Sequence, residues 1–226
     1  MTQPIDDVAA VIRREHDALA TETRIAQCPP FVAVNNMDDV ARLPTKLRWE
    51  HKTTVRTLPQ AKGAAFIVDC TSLNSTALWV ATENNAYRPD YLNFLNITYG
   101  LELSSIPAPY DVDHLYNRSR AQMYGLRFIR LALVGHAANR SHGAAYEKDI
   151  TTNEALRTRR DMKLMDEITS MKYFGFLSPL RNDPRDEEIS AYSTFAAARL
   201  GLDSMEVRKS VLYLREKASK PWAAEK

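Results

Sequence analysis

The sequence predicts an α+β protein in which short strands lie between helical flanks. Two runs, 64–70 and 125–135, are apolar, and the second is rich in Phe, Ile, Leu and Val between two glycines, which is typical of buried strands. Residues 5–26 place apolar side chains on one helical face, and the chain after Thr151 is predicted to be mainly helical. The predicted regions are an N-terminal helical region (1–60), an α+β region (61–150) and a C-terminal helical region (151–226), packed as one compact unit.

The bulk composition is that of an ordinary globular protein. The chain has 226 residues, of which 45% are hydrophobic and 26% charged, and its formal net charge is only +2. Any nucleic-acid contact must therefore come from local clusters of basic residues. Cys28 and Cys70 form no CxxC pair, which excludes a zinc ribbon and favours a reducing compartment. No apolar leader and no apolar run of about 18 residues is present, so we expect a cytoplasmic protein without a membrane span.

Each element has a local signal. Pro4 and the acidic pair after it suit a helix start, and Pro29 and Pro30 end that helix. The basic stretch 45–60 is either a solvated face or a patch that contacts phosphates. The other predicted elements are a short helix (37–43), strands (64–70 and 77–83), a helix (89–103) capped by Gly100, a strand ending near 114, a strand (125–135), a loop that starts a helix (136–150), and helices (153–174, 186–200 and 203–218).

Polar side chains concentrate in a predicted strand–loop–strand–helix unit over 109–148. Asp113 and His114 end the first strand, and Asn139 lies near the start of the helix. Carboxylate and amide oxygens are the ligands that Mg²⁺ prefers, usually with several waters. Because side chains alternate along a strand, His114 points away from Asp113 and is placed to take a proton from water. This pattern favours metal-assisted phosphodiester hydrolysis.

The stretches YDVDHLYNRSRA (110–121) and LALVGHAANRSHG (131–143) resemble the ββα-metal core of HNH endonucleases, with the HNN subtype the nearest likeness. The likeness covers roughly 40 residues, and it implies a ββα-metal core over about 105–150 embedded in flanking helices.

The resemblance implies roles for the matching residues. Asp113 and Asn139 would hold a divalent metal, Mg²⁺ first and Mn²⁺ second, with Asp111 in an outer position. His114 would be the general base. Arg130 stands where the family has an asparagine that steadies this histidine, and Asn117 is a candidate substitute. His142 stands where a lysine is common, and would bind the scissile phosphate or the metal.

Arginines crowd the same region of the chain. They would contact backbone phosphates, or some of them pair with acidic residues instead. The candidates for nucleic-acid binding are Arg118, Arg120, Arg130 and Arg140, with Arg127 in the same crowd.

The leading hypothesis is a metal-dependent endonuclease that acts on DNA, in a bacterial defence, toxin or mobile-element system. The alternative is a catalytically inactive HNH-like module that binds nucleic acid or protein, and a third interpretation is a helical protein whose motif matches by chance. The C-terminal helical pair would cover the core or contact a protein partner or a second copy of the chain.

Overall fold

The computed structural model describes residues 7–26, 29–40, 53–144, 162–179 and 184–219. Within these ranges the chain is a mixed α+β protein built on an antiparallel sheet. The strands are β1 (Phe31–Val34), β2 (Thr53–Thr57), β3 (Ala65–Cys70), β4 (Ser75–Ala81), β5 (Tyr110–His114), β6 (Phe128–Gly135) and β7 (Met162–Leu164). The helices are α1 (Val8–Ala26), α2 (Tyr87–Tyr99), α3 (Arg118–Met123), α4 (His136–Ala144), α5 (Glu167–Tyr173), α6 (Asp186–Leu200) and α7 (Ser204–Ser219).

Strand β6 is the centre of the sheet. The strand order is β2-β3-β4-β6-β1-β7, and β5 pairs with β6 off this path. The first residues of β6 pair with β4 and β1, whereas its second half pairs with β5, so that Asp113 is opposite Ala132 and His114 is opposite Leu131. Helix α4 follows β6 directly. The order β5–β6–α4 is therefore an antiparallel strand pair followed by a helix.

The second half of β6 has hydrophobic clusters on both faces, as its continuous apolar run predicts. Leu131 and Leu133 pack with apolar side chains of α1 and α2. Ala132 and Val134 pack on the other side, in a cluster to which α5, α6 and α7 contribute apolar side chains. A strand buried on both faces is held firmly, so the residues that flank it are well positioned.

Several local predictions are confirmed. The strand expected over 64–70 is β3, the strand within 125–135 is β6, and the C-terminal helical pair is α6 and α7. Gly100 ends α2 in the left-handed conformation with φ of 71°, which glycine adopts without steric cost. The last described turn of the chain uses Gly201 in the same way, with φ of 63°.

Other local predictions differ from the structure. Strand β1 lies in the region that is expected to be helical. Its four consecutive buried residues show no alternation of apolar and polar side chains, so the sequence does not mark them as a strand. Strand β7 interrupts the helix expected over 153–174, and helix α4 begins directly at His136 without the expected loop. Residues 41–52 and 145–161, which include the first half of the basic stretch and part of the expected third region, lie outside the described residues.

Among the described residues, no helix combines the length and apolar character needed to cross a membrane.

Candidate functional site

Strand β5 divides its polar side chains between two faces. Asp111 and Asp113 point toward α4 and α5, where each has a polar partner. Val112 packs in the cluster under α2, and the ring of His114 lies 4.4 Å from the ring of Tyr87 in that helix. The acid and the imidazole of the Asp-His pair therefore face opposite sides of one strand.

Asp111, His136 and Asn139 form a polar group at the start of α4. The side-chain amide of Asn139 donates to Asp111 Oδ2 at 3.1 Å, and His136 Nδ1 lies 2.8 Å from the same oxygen. The backbone N–H of His136 also donates to the carbonyl of Pro109 at 2.9 Å, which joins the helix start to the beginning of β5. These contacts hold the start of α4 against strand β5.

The Asp111 carboxyl is held in its ionised form. Burial acts to raise its pKa, but hydrogen bonds from His136 and Asn139 and the charge of Arg88 outweigh it, so the pKa lies below its ordinary value. The side chains of His136 and Asp111 remain 37% and 29% exposed. This group is consequently accessible to a ligand.

Asp113 has a different partner, the ammonium of Lys172 on α5, with which it forms an ion pair. Lys172 is buried, as is every other residue of α5. The N-cap of the helix is Asp166, whose carboxylate accepts from the N–H of Thr169 at 2.8 Å. A cation is thereby held against the carboxylate that the HNH resemblance assigns to the metal.

His142 and Asn117 have structural contacts. His142 is 1% exposed, and its Nε2 lies 3.1 Å from the carbonyl of Phe176, which ties α4 to the segment after α5. Asn117 is the N-cap of α3, where its side-chain oxygen accepts from the N–H of Arg120 at 3.1 Å. Their catalytic roles stay predictions.

The four arginines predicted to bind nucleic acid separate into two pairs. Arg140 is exposed, and Arg118 is half-buried and donates to the side-chain oxygen of Asn85 at 3.0 Å. Arg120 and Arg130 are buried, at 2% and 5% exposure. The first pair is reached by solvent, whereas the second pair lies in the interior.

Arg130 helps to position His114 through its backbone and not through its side chain. Its guanidinium pairs with Glu22 of α1 at 3.5 Å, because the first half of β6 faces that helix. Its backbone carbonyl accepts from the N–H of Leu115 at 3.0 Å, directly after His114. The end of β5 is thus fixed by the backbone, at the position where the HNH resemblance implies an asparagine side chain.

Among the described residues, no group of three or more His, Cys, Asp or Glu side chains could hold a metal ion. The polar face of β5 and α4 instead offers two carboxylates, Asp111 and Asp113, and the amide of Asn139. Mg²⁺ in proteins is usually bound by one or two carboxylates and several waters. The chemistry of these donors fits that ion if Lys172 no longer pairs with Asp113.

Two members of this site, Lys172 and His136, were not among the predicted site residues. Lys172 lies in a distant helix with no local signal. His136 could have been found from its spacing, since it precedes Asn139 by one helical turn and therefore shares its face.

No protein-family model, no curated protein and no solved structure matches this chain, so its function has to be inferred from its own chemistry.

Proposed function

We propose that the chain is a metal-dependent endonuclease of the HNH type, which hydrolyses phosphodiester bonds of DNA at the polar face of β5 and α4. The observation that carries the proposal is the contact between Asp111 and Asn139, which joins the first strand of the strand–strand–helix unit to its helix. The amide nitrogen of Asn139 donates to a carboxylate oxygen of Asp111, so the contact places the amide group of α4 against the strand that carries both Asp111 and Asp113.

The roles follow from charge and position. Asp113 and Asn139 would hold Mg²⁺ or Mn²⁺, with Asp111 beside them. When bound, the metal supplies positive charge for the phosphate and the leaving oxygen. His114, at the end of the same strand, accepts the proton of the attacking water, which a neutral imidazole does well near neutral pH.

Two further cations support substrate binding near this strand. Arg118 follows His114 by four positions and is half-buried at the surface, and Arg140 is exposed next to Asn139. Guanidinium groups bind phosphates through paired N–H donors, and both side chains are placed for that contact.

Supercoiled plasmid tests the proposal. The wild-type chain is incubated with Mg²⁺ or Mn²⁺, and nicked product is measured beside His114→Ala and a control, Lys209→Ala, which alters an exposed residue of α7. The proposal expects nicking that EDTA stops, loss of at least about 100-fold in His114→Ala, and a full rate in the control. Wild-type protein that cuts neither the plasmid nor a labelled single-stranded DNA, or equal cutting by His114→Ala, would show that the assignment is wrong.

A second candidate is a non-catalytic module that keeps the strand–strand–helix shape as a binding platform. The ion pair between Lys172 and Asp113 favours it, because the ammonium occupies the carboxylate that a metal would need. The packing of His114 against Tyr87 favours it as well. This candidate predicts that wild-type protein binds nucleic acid equally with and without divalent metal and cuts none.

A further inference from the structure

An open cleft lies at the end of the sheet where β3 begins, β4 ends and β6 begins. Its cavity volume is about 610 Å³. That lies within the roughly 300–1,000 Å³ of small-molecule pockets, so nucleoside-sized groups can enter. Its lining includes the side chains of Lys62, Phe66, Glu83, Asn85, Arg127 and Phe128.

The cleft has a positive rim. Lys62 and Arg127 are both exposed there, and Arg118 reaches the rim through its hydrogen bond to Asn85. The carboxylate of the cleft, Glu83, accepts from the hydroxyl of Thr82 at 3.1 Å. Three cations against one carboxylate favour a polyanion as the ligand.

Aromatic rings form part of the cleft wall. Phe66 and Phe128 are half-buried, and their rings meet nearly at right angles with centroids 5.5 Å apart. The guanidinium of Arg127 lies 5.6 Å from the centre of the Phe128 ring. Aromatic rings next to cations are the combination that binds single-stranded nucleic acid, since bases stack on the rings while phosphates meet the charges.

The backbone around the cleft is preformed. A Cβ added at Gly63 would lie 2.3 Å from the side-chain oxygen of Asn84, so only glycine fits there. Asn84 donates to the buried carboxylate of Asp90 at 2.9 Å, and the N–H of Lys62 donates to the same carboxylate at 2.8 Å. Lys62 is consequently held at the rim by its own main chain.

The cleft leads toward the candidate site. Ala86 lines it, and the next residue, Tyr87, contacts the ring of His114. Arg118, bonded to Asn85 of the cleft, begins the short helix that follows β5. A chain of nucleotides lying in the cleft thus continues past Arg118 toward the end of β5.

We propose that this cleft binds single-stranded nucleic acid, with bases against Phe66 and Phe128 and phosphates at Lys62, Arg127 and Arg118. The inference deepens the proposed function by naming its substrate class, and it rests on that function for the link to cleavage. A duplex fits poorly, because its bases are stacked inside the helix and do not reach rings set into a recess.

Fluorescence anisotropy in EDTA tests binding without cleavage. Short labelled single-stranded DNA, single-stranded RNA and blunt duplex DNA are titrated with wild-type protein, the double variant Lys62→Gln/Arg127→Gln, Phe128→Leu, and the control Lys209→Gln. Comparison of single-stranded DNA with single-stranded RNA shows which of the two nucleic acids the cleft prefers. Leucine at 128 keeps the apolar volume and removes the ring face, so the variant is expected to fold.

The expected result is tighter binding of at least one single strand than of the duplex. The double variant weakens that binding about tenfold and lowers the salt slope by about 0.7 for each lost phosphate contact. Phe128→Leu weakens it about fivefold or more through lost stacking. Unchanged affinity in both variants, or a duplex bound at least as tightly as both single strands, overturns the inference.

The two proposals fail separately. Cleft-dependent binding by a chain that cuts nothing with Mg²⁺ or Mn²⁺ rejects the nuclease and keeps the cleft. Metal-dependent cutting at a full rate by the double variant, with unchanged affinity for single strands, rejects the cleft and keeps the nuclease.

Discussion

The ammonium of Lys172 forms an ion pair with the carboxylate of Asp113 inside the protein. The lysine side chain is 6% exposed and the aspartate side chain 21% exposed, so the pair is mostly shielded from water. Metal binding at Asp113 and the ion pair with Lys172 are therefore alternatives for the same carboxylate. The pair links the core helix α5 to the strand that carries the candidate site.

Removing Lys172 should affect stability and metal binding in opposite directions. Lys172→Met leaves the Asp113 carboxylate without this cation, so we expect the free energy of unfolding to fall by about 2 kcal/mol. This is less than the roughly 3–5 kcal/mol of a fully buried pair, because Asp113 stays partly solvated. We also expect Mn²⁺ to bind more tightly in the variant, as measured by calorimetry.

Lys163→Met is the matched control, since Lys163 pairs with Asp166 at 3.5 Å and is also buried. It should lower stability without changing Mn²⁺ affinity. Weaker Mn²⁺ binding in Lys172→Met than in wild type would contradict competition for Asp113.

His114 and His136 should contribute unequally to cleavage. His114→Gln removes the proposed base, and we expect the cleavage rate to fall by about 10²–10⁴. His136→Gln removes a neighbour of Asp111 and should cost about tenfold or less, because Asn139 still holds that carboxylate. The two rates are compared under single-turnover conditions across pH 5–9. A larger loss in His136→Gln would move the role of base to His136, which is the more exposed of the two.

Glu15 should make the protein less stable as pH rises. Its carboxyl is buried and accepts from the hydroxyl of Tyr91 at 3.3 Å. Burial raises its pKa to about 7 from an ordinary value near 4.5, although the charge of Arg130 acts against this. The native state therefore binds more protons than the unfolded state between these two values, and stability is lost as pH rises through this window.

Glu15→Gln keeps an acceptor for Tyr91 and has no proton to lose. Between pH 4.5 and pH 7.5 we expect the free energy of unfolding of wild type to fall by about 3 kcal/mol, and we expect no such fall in the variant. Urea unfolding at several pH values measures this difference, with Glu187→Gln on the exposed face of α6 as the control. Parallel stability curves for Glu15→Gln and wild type would contradict the assignment.

Local patterns in the sequence predicted the elements that carry their own signal. The apolar run of β6, the helix that ends at Gly100, and the alternation of Asp113 and His114 are all local. Strands β1 and β7 are short and have no period of their own, since pairing within the sheet decides their conformation. The position of Asp111 near Asn139 was suggested by the motif, although the contact itself depends on how α4 packs.

The remaining parts of the site depend on contacts between distant segments. Lys172 reaches Asp113 only because α5 packs against the second half of β6. Arg130 pairs with Glu22 because α1 places this carboxylate next to the buried guanidinium. Neither Lys172 nor Glu22 lies within 105–150, so residue spacing in that region could not have predicted these contacts.

Cleavage by the Asn139 variant tests the central claim most directly, because Asn139 belongs to the proposed metal donors and makes the contact on which the proposal depends. End-labelled DNA is incubated with Mg²⁺ and wild-type protein or Asn139→Ala, and thermal unfolding confirms that both are folded. We predict that wild type cuts, that EDTA stops it, and that Asn139→Ala cuts at least about 100-fold more slowly, a loss of roughly 2.7 kcal/mol in transition-state stabilisation. Wild-type protein that leaves the DNA intact with both Mg²⁺ and Mn²⁺, or a folded Asn139→Ala that cuts at the wild-type rate, would contradict the account.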